Sequence, residues 1–191
     1  MNPSIRATVF DPDNRYWLHF ASPVAVYTAI NIRDVITTLN EVETCCARDQ
    51  LWAVGWISYE AAPAFDPALS VRDDATFPKV WFATFAEPRI TQELLTTDAS
   101  PLLTWTPSVS SMEYQRAVQS IRDAIAQGDT YQANYSFRLV ARQAPQPRPL
   151  FSAMVRSQGG DYSFLIETGD YSILTGSPQR GEPASLPQRM R

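Results

Sequence analysis

Short runs of apolar, β-branched and aromatic residues punctuate the chain. Between them lie three segments that repeat with helical period. Ala7-Thr8-Val9-Phe10 and Tyr16-Trp17-Leu18-His19-Phe20 flank Asp11-Pro12-Asp13-Asn14, whose turn chemistry predicts a hairpin. After Ser22-Pro23, Val24–Ala29 reads as a third strand. Val35, Leu39, Val42 and Cys46 then follow helical spacing, with Asn31 as the expected cap and Asp34 in the first turn, predicting a helix over 33–47. In that helix Cys46 reads as a small apolar core residue rather than a reactive thiol. Trp52–Ser58 is a near-continuous apolar run, which predicts a strand buried on both faces, and Gly55 inside it points to a close backbone approach or a bulge. Tyr59–Pro67 reads as a helical turn or ordered loop, Lys79–Phe85 as a further strand, and 91–101 as a polar connection.

The second helix carries the clearest local code. Ser110 and Glu113 have capping-box spacing, Tyr114, Ala117, Val118, Ile121, Ala124 and Ile125 line one face, and Gly128 supplies a left-handed stop. Next, Tyr131, Ala133, Tyr135, Phe137 and Leu139 alternate with Gln132, Asn134, Ser136 and Arg138. The pattern predicts a strand with one apolar face and one polar face, the polar side chains about 7 Å apart in succession. That polar face could bind a polar ligand, meet another domain or simply be solvated. A third helix is expected over Leu150–Ser157, stopped by Gly159-Gly160, and a last hairpin joins Tyr162–Ile166 to Tyr171–Leu174 across Thr168-Gly169-Asp170. Residues 180–191 carry neither period and read as an unstructured tail. With no repeating βαβ alternation, the fold class is α+β, mainly antiparallel sheets flanked by helices.

Composition narrows the functions. The chain has 191 residues, 45% of them hydrophobic, enough for a sizeable core. A net charge of −4 argues against general nucleic-acid binding. No apolar run approaches a membrane span, and the N-terminus lacks a secretory pattern, so a cytoplasmic location is expected. Cys45 and Cys46 are adjacent, which disfavours an ordinary disulfide between them and fits a reducing compartment. There is no nucleophile elbow, phosphate loop, zinc spacing or dinucleotide fingerprint. His19 reads as a structural or surface histidine. Glu60 could face a cleft, but reads more naturally as a capping or surface residue. No catalytic residue and no metal ligand is assigned from these patterns.

Three segments carry a family resemblance. Gly128-Asp129-Thr130-Tyr131-Gln132-Ala133-Asn134 through Arg138-Leu139 resembles the GD-x-YQ-x-N-x-x-x-RL segment of aminodeoxychorismate synthase component I, a chorismate-utilising family. Gly55 through Ser58-Tyr59-Glu60-Ala61-Ala62-Pro63-Ala64-Phe65-Asp66 resembles that family's G-x-x-SYEAAPAFD stretch. Ile173-Leu174-Thr175-Gly176-Ser177-Pro178 resembles the start of its S-x-SPE motif, and the three occur in the family's order. Beyond Pro178 the likeness ends: Gln179-Arg180-Gly181 stands where the family has glutamate and then Arg-Phe.

The resemblance implies an α+β N-terminal region over 1–100, the start of the chorismate-utilising region over 101–179, and a divergent tail. For an intact relative it implies amination of chorismate to 4-amino-4-deoxychorismate, on the route to folate. Ammonia would come from a glutamine amidotransferase subunit, and magnesium would hold the substrate. The lysine, acidic residues and glycine- and arginine-rich segments that act in relatives have no counterpart positions here. The expectation is a shortened component I, inactive alone, arising from a frameshift or partial gene and prone to self-association through uncovered faces. The resemblance also implies a tryptophan-type pocket at Ser22, Tyr162 and Ser163, with Asp161 in place of the family's proline. Two other readings stand beside it: a non-enzymatic module that binds an aromatic amino acid or docks an amidotransferase, and a fragment of anthranilate synthase component I.

Overall fold

The computed structural model describes residues 5–72, 76–94, 103–143, 145–158 and 161–177. The expected tail over 180–191 and the Gly159-Gly160 stop lie outside the described residues. Those described fall into two units, one drawn from 1–98 and 147–191 and the other from 99–146.

In the first unit, β1 (Arg6–Asp11) and β2 (Tyr16–Ala21) form the expected hairpin. Its turn is closed by Asp11, whose Oδ1 accepts from the backbone N–H groups of Asp13 and Asn14 at 3.1 and 3.0 Å. β3 (Ala25–Ala29) leads through a 3₁₀ turn at Ile32–Asp34 into α1 (Val35–Asp49). Asn31 makes no side-chain cap to that turn; its Nδ2 donates instead to Asp34 Oδ2 at 3.1 Å. β4 (Trp52–Ile57), a 3₁₀ turn at Tyr59–Ala64, β5 (Val80–Phe85) and the short β6 (Arg89–Thr91) follow.

The second unit holds β7 (Trp105–Pro107), α2 (Ser111–Gln127) and β8 (Leu139–Ala141). The capping box of α2 is complete. Ser110 Oγ accepts from Glu113 N–H at 3.2 Å, and Ser110 N–H donates to Glu113 Oε2 at 2.7 Å. Gly128 ends the helix at φ 84°, a left-handed position that a residue with a Cβ adopts reluctantly.

The chain then returns to the first unit. α3 (Pro147–Gln158) starts three residues before the predicted Leu150, because Pro147 and Pro149 sit in a first turn whose N–H groups need no intrahelical partner. β9 (Tyr162–Glu167) and β10 (Ser172–Ser177) form the final hairpin.

Among the described residues every strand pairing is antiparallel. One sheet has the order β10-β9-β1-β2-β6 and a second β3-β5-β4, with β7-β8 a separate pair in the other unit. The first unit is layered as helix, sheet, sheet, helix. Trp81, Ala83 and Phe85 on one face of β5 meet Ala7, Leu18, Phe20 and Ile166 of the five-stranded sheet. Val80 and Phe82 on the other face pack with Val35 and Leu39 of α1. On the outer side of the larger sheet, Trp17 and Leu165 close against Phe151 of α3, with the Trp17 and Phe151 rings edge to face at 5.9 Å.

Two expectations are corrected. Among the described residues β4 is an edge strand that pairs only with β5 and is exposed to half-buried, so the apolar run at Trp52–Ser58 is not buried on both faces. The doubly covered strand is β5, central in its sheet; hydrophobicity alone does not rank strands by sheet position. The strand expected over 131–139 is also absent: 131–138 is irregular and exposed, and only Leu139 enters β8. A strand needs a neighbour for its backbone groups, and β8 finds β7 over three rungs only.

Candidate functional site

A cavity of about 330 Å³ opens between the two sheets of the first unit. Leu18, Phe20, Phe164 and Ile166 line it from the larger sheet, and Trp52, Val54 and Gly55 from β4. Strand alternation explains the set: positions two apart on β2 and on β9 share the inward face. Gly55 is required where it stands. A Cβ there would meet the Trp81 carbonyl oxygen and come within 2.7 Å of Phe82 Cα, so the close approach anticipated at this glycine is present. The wall is apolar and aromatic, with Trp52 42% exposed at its edge, so the cavity suits a flat apolar group rather than a charged one.

Ser22, Tyr162 and Ser163 are not gathered at one point. Ser22 follows β2, exposed and left-handed at φ 56°. Ala21 aligns with Arg6 and Arg6 with Glu167, five residues from Tyr162 along β9. Ser22 and Tyr162 therefore flank opposite ends of the strand ladder, roughly 17 Å apart along it. Tyr162 shares the inward face with Phe164 and Ile166. Ser163 points to the other side, toward α3, 2% exposed and with its Oγ lacking a hydrogen-bond partner.

Gln132, Asn134, Ser136 and Arg138 do not form a strand face. All four are exposed on irregular backbone, where Arg138 N–H donates to Ser108 Oγ at 3.0 Å and Thr130 Oγ1 donates to the Gln132 carbonyl at 2.9 Å. The apolar half of the alternation does find a partner. Tyr135 and Phe137 each lie 5.8 Å, ring to ring, from Tyr114 of α2.

A larger, open depression of about 600 Å³ lies at the end of β3, lined by Asn31, Arg33, Glu60 and Lys79 among others. Glu60 sits in the first turn of its 3₁₀ helix, a favourable place for an acidic side chain. Lys79, the chain's single lysine, is 4% exposed and donates from Nζ to the Ile30 carbonyl at 2.9 Å. Sequence patterns missed this residue, because one lysine at the head of a strand carries no periodic signal.

Cys45 and Cys46 are free and half-buried, and burial raises the Cys46 thiol above its ordinary value. Among the described residues no three His, Cys, Asp or Glu side chains converge on one point. Among the described residues no helix is long and apolar enough to cross a membrane.

Comparison with known proteins agrees with the motifs. The family model described as chorismate binding enzyme matches residues 6–181. Aminodeoxychorismate synthase component 1 of Bacillus subtilis is 30% identical over 66 residues, 35% of this chain and 14% of that protein. Anthranilate synthase component 1 3 of Haloarcula marismortui is 36% identical over 62 residues, 32% of this chain and 12% of that protein. The matched stretches thus span well under a fifth of either curated relative.

Proposed function

Since the chain belongs to the chorismate binding enzyme family, we propose that it serves as the scaffold-building front portion of an aminodeoxychorismate synthase component I. The observation that carries this reading is the family match over 6–181, with the Tyr131-Gln132-Ala133-Asn134 run favouring the aminodeoxychorismate branch over the anthranilate branch. In the reaction of the whole enzyme, chorismate and ammonia give 4-amino-4-deoxychorismate and water. A cytoplasmic glutamine amidotransferase subunit would deliver the ammonia, and magnesium would neutralise the substrate in the parts that complete the site.

The chain alone does not aminate chorismate in this reading. A dicarboxylate substrate needs converging cations, and the inter-sheet cavity is lined by apolar groups. The purified chain with chorismate, ammonia and magnesium is expected to show no product above background by chromatography. Measurable turnover overturns the scaffold reading.

The cavity supports a second role within the same scaffold, holding the ring of an aromatic amino acid between Phe20, Phe164 and Trp52. Calorimetry with tryptophan is expected to show binding with a negative heat-capacity change. No heat at millimolar ligand removes this role and leaves the scaffold reading intact.

A further inference from the structure

The chain's single histidine is built into a seam. His19 lies on β2 directly opposite Arg89 of β6, and its ring is held from both sides by hydroxyls. Nε2 is 2.9 Å from Thr91 Oγ1, the diagonal neighbour on β6, and Nδ1 is 3.2 Å from Thr8 Oγ1 on β1. The hydroxyl proton of Thr91 is already committed, donated to the Glu93 carbonyl at 2.7 Å. Toward His19, Thr91 can therefore only accept. A neutral ring in this setting is the Nε2–H tautomer, with Nδ1 accepting from Thr8.

A neutral ring tolerates Arg89 across the strand. An imidazolium places two cations in a directly opposed pair, which destabilises strand pairing. The surrounding elements offer little relief. Alternation puts Arg6 of β1 and Glu167 of β9 on the same face of the sheet as His19, and α3 contributes Arg148. Glu167, an acid on this face, is engaged by Arg148, whose Nη2 donates to Oε2 at 2.9 Å. Glu93 follows β6 with its side chain exposed. β6 itself has three residues and three rungs, all to β2, at the edge of its sheet.

We infer that His19 is a proton-operated latch: neutral, it fastens edge strand β6 to β2, and protonated, it releases it. The latch acts on the outer face of β2, while Leu18 and Phe20 on the other face line the inter-sheet cavity. It does not depend on what that cavity binds.

The direction of the pH effect follows from the two states. Burial and the Arg89 charge lower the proton affinity of His19 in the closed strand below its ordinary 6.5. In the opened strand the ring titrates near the ordinary value. Closure is complete above 6.5, weakens as pH falls through it, and levels off below the closed-state value.

Nitrogen-detected NMR of the full chain tests this without assignment ambiguity, since one histidine is present. The expected result is an Nε2–H ring at neutral pH that titrates below 6.5. Amide protection at 89–91, corrected for intrinsic exchange, is expected to fall about tenfold for each unit of that depression. Protection at 164–166 on β9 should hold over the same range. Arg89→Gln should raise the His19 value and shrink the step, and His19→Gln should abolish it. An Nδ1–H tautomer, titration at or above the ordinary value, or a step that survives in His19→Gln overturns the latch.

Discussion

The helices α1 and α2 show what an amphipathic sequence can and cannot secure. Both carry an apolar stripe at helical spacing. α1 buries Val35, Thr38 and Val42 against a sheet, its stripe closing on β3, β4 and β5. α2 has the better caps at both ends, yet none of its residues is buried. Its stripe meets Tyr135 and Phe137 from an irregular segment, and Tyr131 stands 92% exposed. Local code is thus sufficient to start and stop a helix, while burial depends on an apolar partner surface. Stability in the first unit comes mainly from packing, and in the second from caps and local contacts.

That contrast can be broken by mutation. The largest effect is expected for Phe151→Ala, which empties a site 1% exposed beneath Trp17 and should cost about 3–5 kcal/mol in denaturant unfolding. Loss of less than about 1 kcal/mol would mean that α3 is not part of the core. Next comes Gly55→Ala, where the Trp81 carbonyl oxygen and Phe82 Cα are backbone and cannot swing aside; about 3 kcal/mol is expected, at the upper end for overpacking. A neutral result would show that β4 can slide on β5.

In the second unit Ser110→Ala removes one half of the capping box, and about 1 kcal/mol of local helix stability, read by amide exchange in α2, is the expected loss. The Ser110 backbone and side-chain bonds hold the Glu113 carboxyl below its ordinary value, so the cap is complete above that value and is lost as pH falls through the lowered one. The smallest effect is expected for Phe137→Ala, within about 0.5 kcal/mol, because its ring is 41% exposed. A cost matching that of Phe151→Ala would erase the distinction between the units.

Much of the local structure in both units was legible in the sequence. The Asp11 turn, the Ser110–Glu113 box, the Gly128 stop and the close approach at Gly55 each rest on a few neighbouring residues or one steric demand, and each is present. The short strands β6, β7 and β8 were not legible, because three residues are too few to display a period. The candidate site was less legible than the fold. Its cavity joins β2 and β4 to β9, which lies more than 100 residues further along the chain, and the seam at His19 needs Thr8 and Thr91 from two other strands.

By itself, the sequence determined where most helices and strands begin and end, their α+β character, and membership of a chorismate-utilising family. Only tertiary structure decided which strand is central, that 131–138 is not a strand, and which side chains share a cavity. The reason is physical: caps, turns and periods are settled among residues close in the chain, whereas strand order and burial depend on partners that folding brings from far along it.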